Sequence, residues 1–217
     1  MKLSQLYYLV LVISVLVSCT ATSNQDGHRT QEIMKSREIK KVSEADILNK
    51  SLEIGNLIAD SIQKTLSSKL VQSMQSDGLN ATIKFCSANA ISLTDSLSKE
   101  YSASIRRTSF KYRNPANEPD SVESQLLNAY QHSVKNKRAL RESANILGNE
   151  VLFTKPILLG NPVCLNCHGK VGKELSSEDF ELLQSIYPED KATGYSFKEF
   201  RGMWSIRLER KMVVNAL

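Results

Sequence analysis

Cys164, Cys167 and His168 form the one run of this chain whose residue types and spacing prescribe a chemistry. Two thiols three positions apart with an imidazole directly after them resemble the attachment site of a c-type haem. In such a site the sulfurs form thioethers with the haem vinyl groups and the histidine ligates the iron from one face. Two other chemistries use the Cys-x-x-Cys spacing. A structural zinc site draws four ligands from two separated pairs, but the chain has no second pair, and Cys167 and the adjacent His168 reach one tetrahedral ion together only with difficulty. A redox dithiol is the stronger rival, although that motif usually sits in a βαβ unit. Pro156, Gly160, Pro162 and Gly169 instead place this run in a loop with a short helical turn.

Covalent haem attachment in bacteria takes place outside the cytoplasm, so the N-terminus bears on the choice. Lys2 provides a positive start, and Leu6 to Val17 form a nearly unbroken apolar run, short for a membrane span. Leu16-Val17-Ser18-Cys19 resembles a bacterial lipobox, in which the cysteine becomes the lipidated mature N-terminus. Residues 1–18 are therefore expected to be a signal peptide. Residues 19–43 are expected to be a flexible, lysine-rich tether lipidated at Cys19, and 44–217 the folded domain. The expected location is a membrane-anchored lipoprotein facing the periplasm, with Thr20 after the cysteine favouring the outer membrane. An uncleaved signal anchor is the alternative. Of four cysteines, Cys19 is then assigned to lipid, Cys164 and Cys167 to haem, and Cys86 is left over. A formal net charge of +5, dispersed among acids, argues against a nucleic-acid partner.

The elements that must position the motif follow from periodicity. Ile47, Leu48, Leu52, Leu57, Ile58, Ile62, Leu66, Leu70 and Met74 recur at helical spacing, predicting a long amphipathic helix that closes near Asp77-Gly78. A second helix is expected from Ala81 to Lys99, with Cys86 on its apolar face. Ile105 to Tyr112 reads as a strand, and Asp120 with Glu123 as a capping pair opening a helix through Lys135. Ala139 to Asn145 and Glu150 to Leu159 read as strands joined near Gly148-Asn149. Glu174 to Tyr187 reads as a helix, and Met203 to Arg210 as a closing strand. Locally paired strands with helices grouped around them indicate an α+β domain on an antiparallel sheet.

The run from Arg107 to Asp120 is similar to the central block of the c-type haem family known as domain of unknown function 3365. Cys164 to Gly169, Tyr187-Pro188, Asp190, Ala192 to Tyr195 and Arg201-Gly202 resemble its second block in the same order, so the likeness spans roughly Leu48 to Leu208. The resemblance implies a PAS-like fold, one covalent haem and a role in redox sensing. It also implies that the iron is held by His168 and by a cysteine of an upstream helix, here Cys86. A thiolate opposite a neutral imidazole favours ferric iron and lowers the potential relative to a His/Met pair. Cys86 as a small buried core residue is the alternative, with Met74, Met203 and His132 as rival ligands. Arg107 and Arg113 are candidates to neutralise haem propionates, although Arg113 with Asn114 and Asn117 equally fits a brace for the turn. Arg201 is ambiguous in the same way, and Tyr187 and Tyr195 fit either a haem edge or the core.

Three function classes follow. The leading one is a lipid-anchored haem redox sensor whose signal passes to an unidentified partner protein, because no output segment follows the haem domain. The second is a periplasmic electron-transfer cytochrome. An enzyme such as a peroxidase needs a labile axial site, and no distal acid-base pair is visible.

Overall fold

The computed structural model describes residues 42–217, and of 85–93 it describes the helical backbone alone. The proposed signal peptide and residues 19–41 of the tether, Cys19 included, lie outside the described residues, as does the side chain of Cys86, whereas Ser43, expected in the tether, caps the first helix. No helix among the described residues is long and apolar enough to cross a membrane.

A long helix, α1 (Glu44–Glu100), opens the domain behind a capping box between Ser43 and Asp46. It breaks at Gly78, where φ 80° and ψ 175° lie outside the helical region and at a positive φ that favours glycine. Thr82 Oγ1 donates to the Gly78 carbonyl at 2.8 Å and bonds Ser73 Oγ at 3.1 Å, so the second arm turns back. Tyr101, just past its end, donates to Ser61 Oγ at 3.4 Å. The two helices expected on either side of Asp77-Gly78 are these two arms.

Four strands follow: β1 (Ala103–Thr108), β2 (Ser143–Leu147), β3 (Glu150–Leu158) and β4 (Phe200–Glu209). They form one antiparallel sheet in the order β1-β4-β3-β2. This is the expected α+β, PAS-like architecture. One face of the sheet carries Phe153, Trp204, Ile206 and Leu208, all buried, against buried Ile47, Ile58 and Ile62 of α1. Trp204 Nε1 donates to Gln63 Oε1 at 3.3 Å, and Lys155 reaches Asp60 at 2.7 Å. The other face packs Met203 on Leu127 and Tyr130 of α2 (Ser121–Lys135). That helix is capped by Asp120 and Glu123 as the sequence predicts.

Strand edges differ from expectation for local reasons. β1 stops at Thr108, short of Tyr112, because Ser109 leaves the ladder to donate its hydroxyl to the Arg201 carbonyl at 2.8 Å. β2 begins at Ser143, because the Gly148-Asn149 turn pairs Leu147 with Glu150 and so sets the register from the turn outward. β4 starts earlier, at Phe200 opposite Leu158, and its continuation is a helix, α5 (Arg210–Asn215), that periodicity did not suggest. Between β3 and β4 lie a single helical turn, α3 (Leu165–His168), and α4 (Ser177–Ile186).

α1 approaches the sheet closely at Gly55, where a Cβ would stand 2.2 Å from Phe153 Cγ. Replacing a mid-helix glycine by alanine ordinarily stabilises by about 1 kcal/mol. Here the methyl must displace a fully buried ring, so Gly55→Ala is expected to destabilise by about 1–3 kcal/mol, as overpacking does. Urea denaturation checks this, and an unchanged or raised midpoint would mean that the ring moves freely.

Candidate haem-attachment site

The Cys-x-x-Cys-His run is presented by a short, locally determined turn. Asn161 accepts from Val163 N at 3.0 Å, Pro162 opens a 3-10 turn over Pro162–Cys164, and α3 carries the run to His168. Helical spacing of three places Cys164 and Cys167 on the same side. Both thiols are half-buried. Cys164 packs on the cluster of Leu159, Leu165 and Tyr195, and Cys167 on that of Ile83, Leu175 and Leu183.

Three loops meet at this turn. Gly194 N donates to the Gly169 carbonyl at 2.8 Å and Tyr195 N to that of His168 at 2.9 Å. Lys191 N donates to the Tyr112 carbonyl at 2.9 Å, and Lys111 Nζ donates to that of Thr193. Arg113 joins all three loops, since its guanidinium donates to the Cys167 carbonyl and pairs with Asp190 Oδ2 at 3.2 Å. The other Asp190 oxygen accepts from Ala192 N at 2.7 Å, and the Ala192 carbonyl lies 2.7 Å from His168 Nδ1. A carbonyl only accepts, so Nδ1 carries the proton and Nε2 keeps its lone pair. That carbonyl partner is the kind that orients metal-ligating imidazoles.

Burial holds the His168 imidazole well below its ordinary pKa, and the Arg201, Arg113 and Arg107 guanidiniums add to this against the opposing Ala192 bond. The ring is neutral at neutral pH, the form that ligates metals. Its edge meets Tyr195 in a T-shaped contact at 6.3 Å.

Cys164, Cys167 and His168 line a cavity of about 280 Å³ between α1, α4 and the ends of β1, β3 and β4. Leu66, Leu70, Ile83 and Leu159 supply apolar wall, and Arg107, Arg113 and Arg201 supply cationic groups. Two thiols on one side, a neutral imidazole with a free Nε2, apolar walls and a cationic surround fit a flat, largely apolar macrocycle with a central metal and an anionic edge.

The expected residues therefore converge, and the alternatives separate. Arg113 spends its donors on Cys167 and Asp190, while Asn114 alone caps the 3-10 turn at Pro115–Asn117 by accepting from Ala116 N at 2.9 Å. Arg107 lines the cavity with its guanidinium over the Trp204 ring, 5.7 Å from the centroid. Tyr187 lines the cavity too, and Tyr195 is buried beside His168. Among the rival ligands only Met74 lines the cavity; Met203 is buried under α2 and His132 is exposed on that helix. The sheet has no parallel pair, so the dithiol setting of a βαβ unit is absent from it. Among the described residues no three His, Cys, Asp or Glu groups cluster to hold a metal, which leaves a zinc reading without its ligand set. Sequence reasoning missed the Ala192 carbonyl and the role of Asp190. A backbone carbonyl carries no side-chain signature, and the acid showed only as part of a family block.

The Asp190 side chain is fully buried and that of Arg113 is 16% exposed, so each partner depends on the other. Arg113→Met is expected to cost about 3–5 kcal/mol by leaving a buried carboxylate uncompensated. Adding Asp190→Asn should recover part of that loss in a double-mutant cycle read by denaturation. Additive losses would show that the two side chains act independently.

Residues 27–208 match the family model described as Tll0287-like. A crystal structure of the cyanobacterial haem protein Tll0287 aligns with a TM-score of 0.53 at 20% identity, covering 72% of this chain and 94% of that one. At that identity the likeness speaks for the fold, the α+β sheet with its long N-terminal helix. No curated protein gives a significant match. The family match covers most of the sequence and both blocks that frame the cavity, and on that ground the chain belongs to the Tll0287-like family.

Proposed function

We propose that this protein is an exported, lipid-anchored c-type protein with one haem, and that it acts as a redox sensor. The reading rests above all on the convergence of Cys164, Cys167 and a neutral His168 on one cavity, with Nε2 left free by the bond from Nδ1 to Ala192. Membership of a family that shares its fold with a haem protein supports it. Covalent haem would supply an iron centre that changes charge by one electron. Cys164 and Cys167 would hold it as thioethers, and His168 would ligate it through Nε2, its ring held in plane by Ala192 and Tyr195. Cys86 is the proposed second ligand. Its backbone position lies one helical turn beyond Thr82 and Ile83, both of which line the cavity.

With His168 and Cys86 both holding the iron, the haem would offer no place for a substrate and would supply a one-electron change of charge inside the apolar enclosure that the chain's residues form. The second arm of α1 carries position 86 and adjoins the cavity, which makes it the element through which a partner protein would read that change. Electron transfer to a partner is the second reading. It is favoured by Leu158, which lines the cavity yet is 48% exposed, so that the cavity reaches the surface at the end of β3.

Expression with a c-type maturation system, followed by acid-acetone extraction and a pyridine haemochrome spectrum, tests the attachment. Colour retained on the polypeptide with a two-thioether band is expected, and apoprotein from cells that mature a control cytochrome would favour the dithiol. In the same material Cys86→Ser should shift the ferric Soret band and raise the potential, while unchanged values would remove Cys86 as a ligand. The lipid anchor is tested separately with Cys19→Ala, expected to lose lipid label and move to the soluble fraction; continued membrane retention would argue for a signal anchor.

A further inference from the structure

The cavity is electrostatically lopsided. Arg107, Arg113 and Arg201 line it, and none of its described lining residues is acidic. The nine residues 85–93 of the adjacent helical arm contain no acid either. Arg113 is answered from behind by Asp190. Arg201 is not answered in this way: its guanidinium carbon lies 5.4 Å from the centroid of the Tyr195 ring, and it makes no hydrogen bond or ion pair to a described side chain or carbonyl. The main chain on either side of it is committed, with the Arg201 carbonyl accepting from Ser109 Oγ at 2.8 Å and Gly202 buried against Thr108 and Ser109. The side chain is thus fixed at its root and half-buried where it lines the cavity. A guanidinium cannot escape by deprotonation, and enclosing one without an anion is costly. A contact with a ring leaves the guanidinium's fork of N–H donors for a planar carboxylate.

We propose that Arg201 anchors a propionate carboxylate of the haem, with the Tyr195 ring as its platform. The assignment rests on the haem reading above and adds to it the edge at which the ligand's negative charge is received. Arg113 is set apart as a brace, since its Nε and Nη2 groups hold Asp190 and the Cys167 carbonyl. Tyr195 touches both groups, the Arg201 guanidinium and the His168 ring. A single aromatic side chain therefore sets the position of the charged anchor relative to the axial imidazole.

The test uses the holoprotein and two variants, Arg201→Gln and Arg201→Lys, read by resonance Raman spectroscopy in the propionate bending region and by potentiometric titration. In Arg201→Gln the bending band is expected to fall to lower frequency and the midpoint potential to fall, since loss of a nearby positive charge favours the ferric state. Arg201→Lys, which keeps the charge but not the fork, should return the potential toward the wild-type value while its bending band stays displaced. Should the Gln variant fail to fold, the displaced band in the Lys variant carries the test. Wild-type band positions in every folded, haem-loaded variant would overturn the assignment while leaving the haem reading intact. A wild-type protein without covalent haem would overturn the haem reading itself, and that result is visible before any variant is made.

Discussion

The buried pair of Arg113 and Asp190 is the contact on which the site depends. It closes across 77 positions of sequence and ties the loop after β1 to the loop before β4. Each member uses its remaining capacity on backbone: Arg113 on the Cys167 carbonyl, Asp190 on the Ala192 amide. The Ala192 carbonyl then faces His168 Nδ1. Orientation of the imidazole is in this way a consequence of an ion pair that does not touch it. An ion pair in such a place contributes little net stability, because desolvation offsets attraction. Its effect is to hold three loops in one arrangement, and the loops hold His168.

The same cavity shows how one enclosure can serve two electrostatic ends. Burial and the surrounding guanidiniums keep His168 neutral, which a metal ligand requires. Burial also lowers the Arg201 guanidinium from its ordinary value, with Tyr195 opposing and Arg113 and Arg107 adding to the effect. A positive surround around a neutral imidazole is suited to a cofactor that brings its own negative charge. The apolar wall from α1 completes the enclosure, since Leu66 and Leu70 face the cavity from the same helix whose earlier turns bury Ile58 and Ile62 against the sheet.

Much of the fold was legible where the signal is local. The α1 pattern marks a helix because one face must be buried, and Gly78 marks its break because other residues rarely adopt that conformation. Asp120 and Glu123 announce a helix start because both capping bonds lie within one turn. Strand ends were less legible. The exit of β1 and the entry of β4 depend on Ser109 meeting Arg201 from 92 positions away, and periodicity holds no trace of such a contact. Leu57 had the spacing of a core residue yet is 62% exposed, because Gly55 against Phe153 and the buried Ala59 lie on the inner face and turn that position outward.

By itself, the sequence determined the chemistry on offer: two thiols and an imidazole on a single helical turn, an α+β pattern and the capped helix start at Asp120, all set by interactions within a few residues. Only the tertiary structure decided how that chemistry is placed. It brought Arg107, Arg113 and Arg201 to one cavity, made Arg113 a brace between loops, and chose the histidine tautomer through a backbone carbonyl. Those outcomes depend on contacts between distant segments and on a group that every residue shares, so no residue type could announce them.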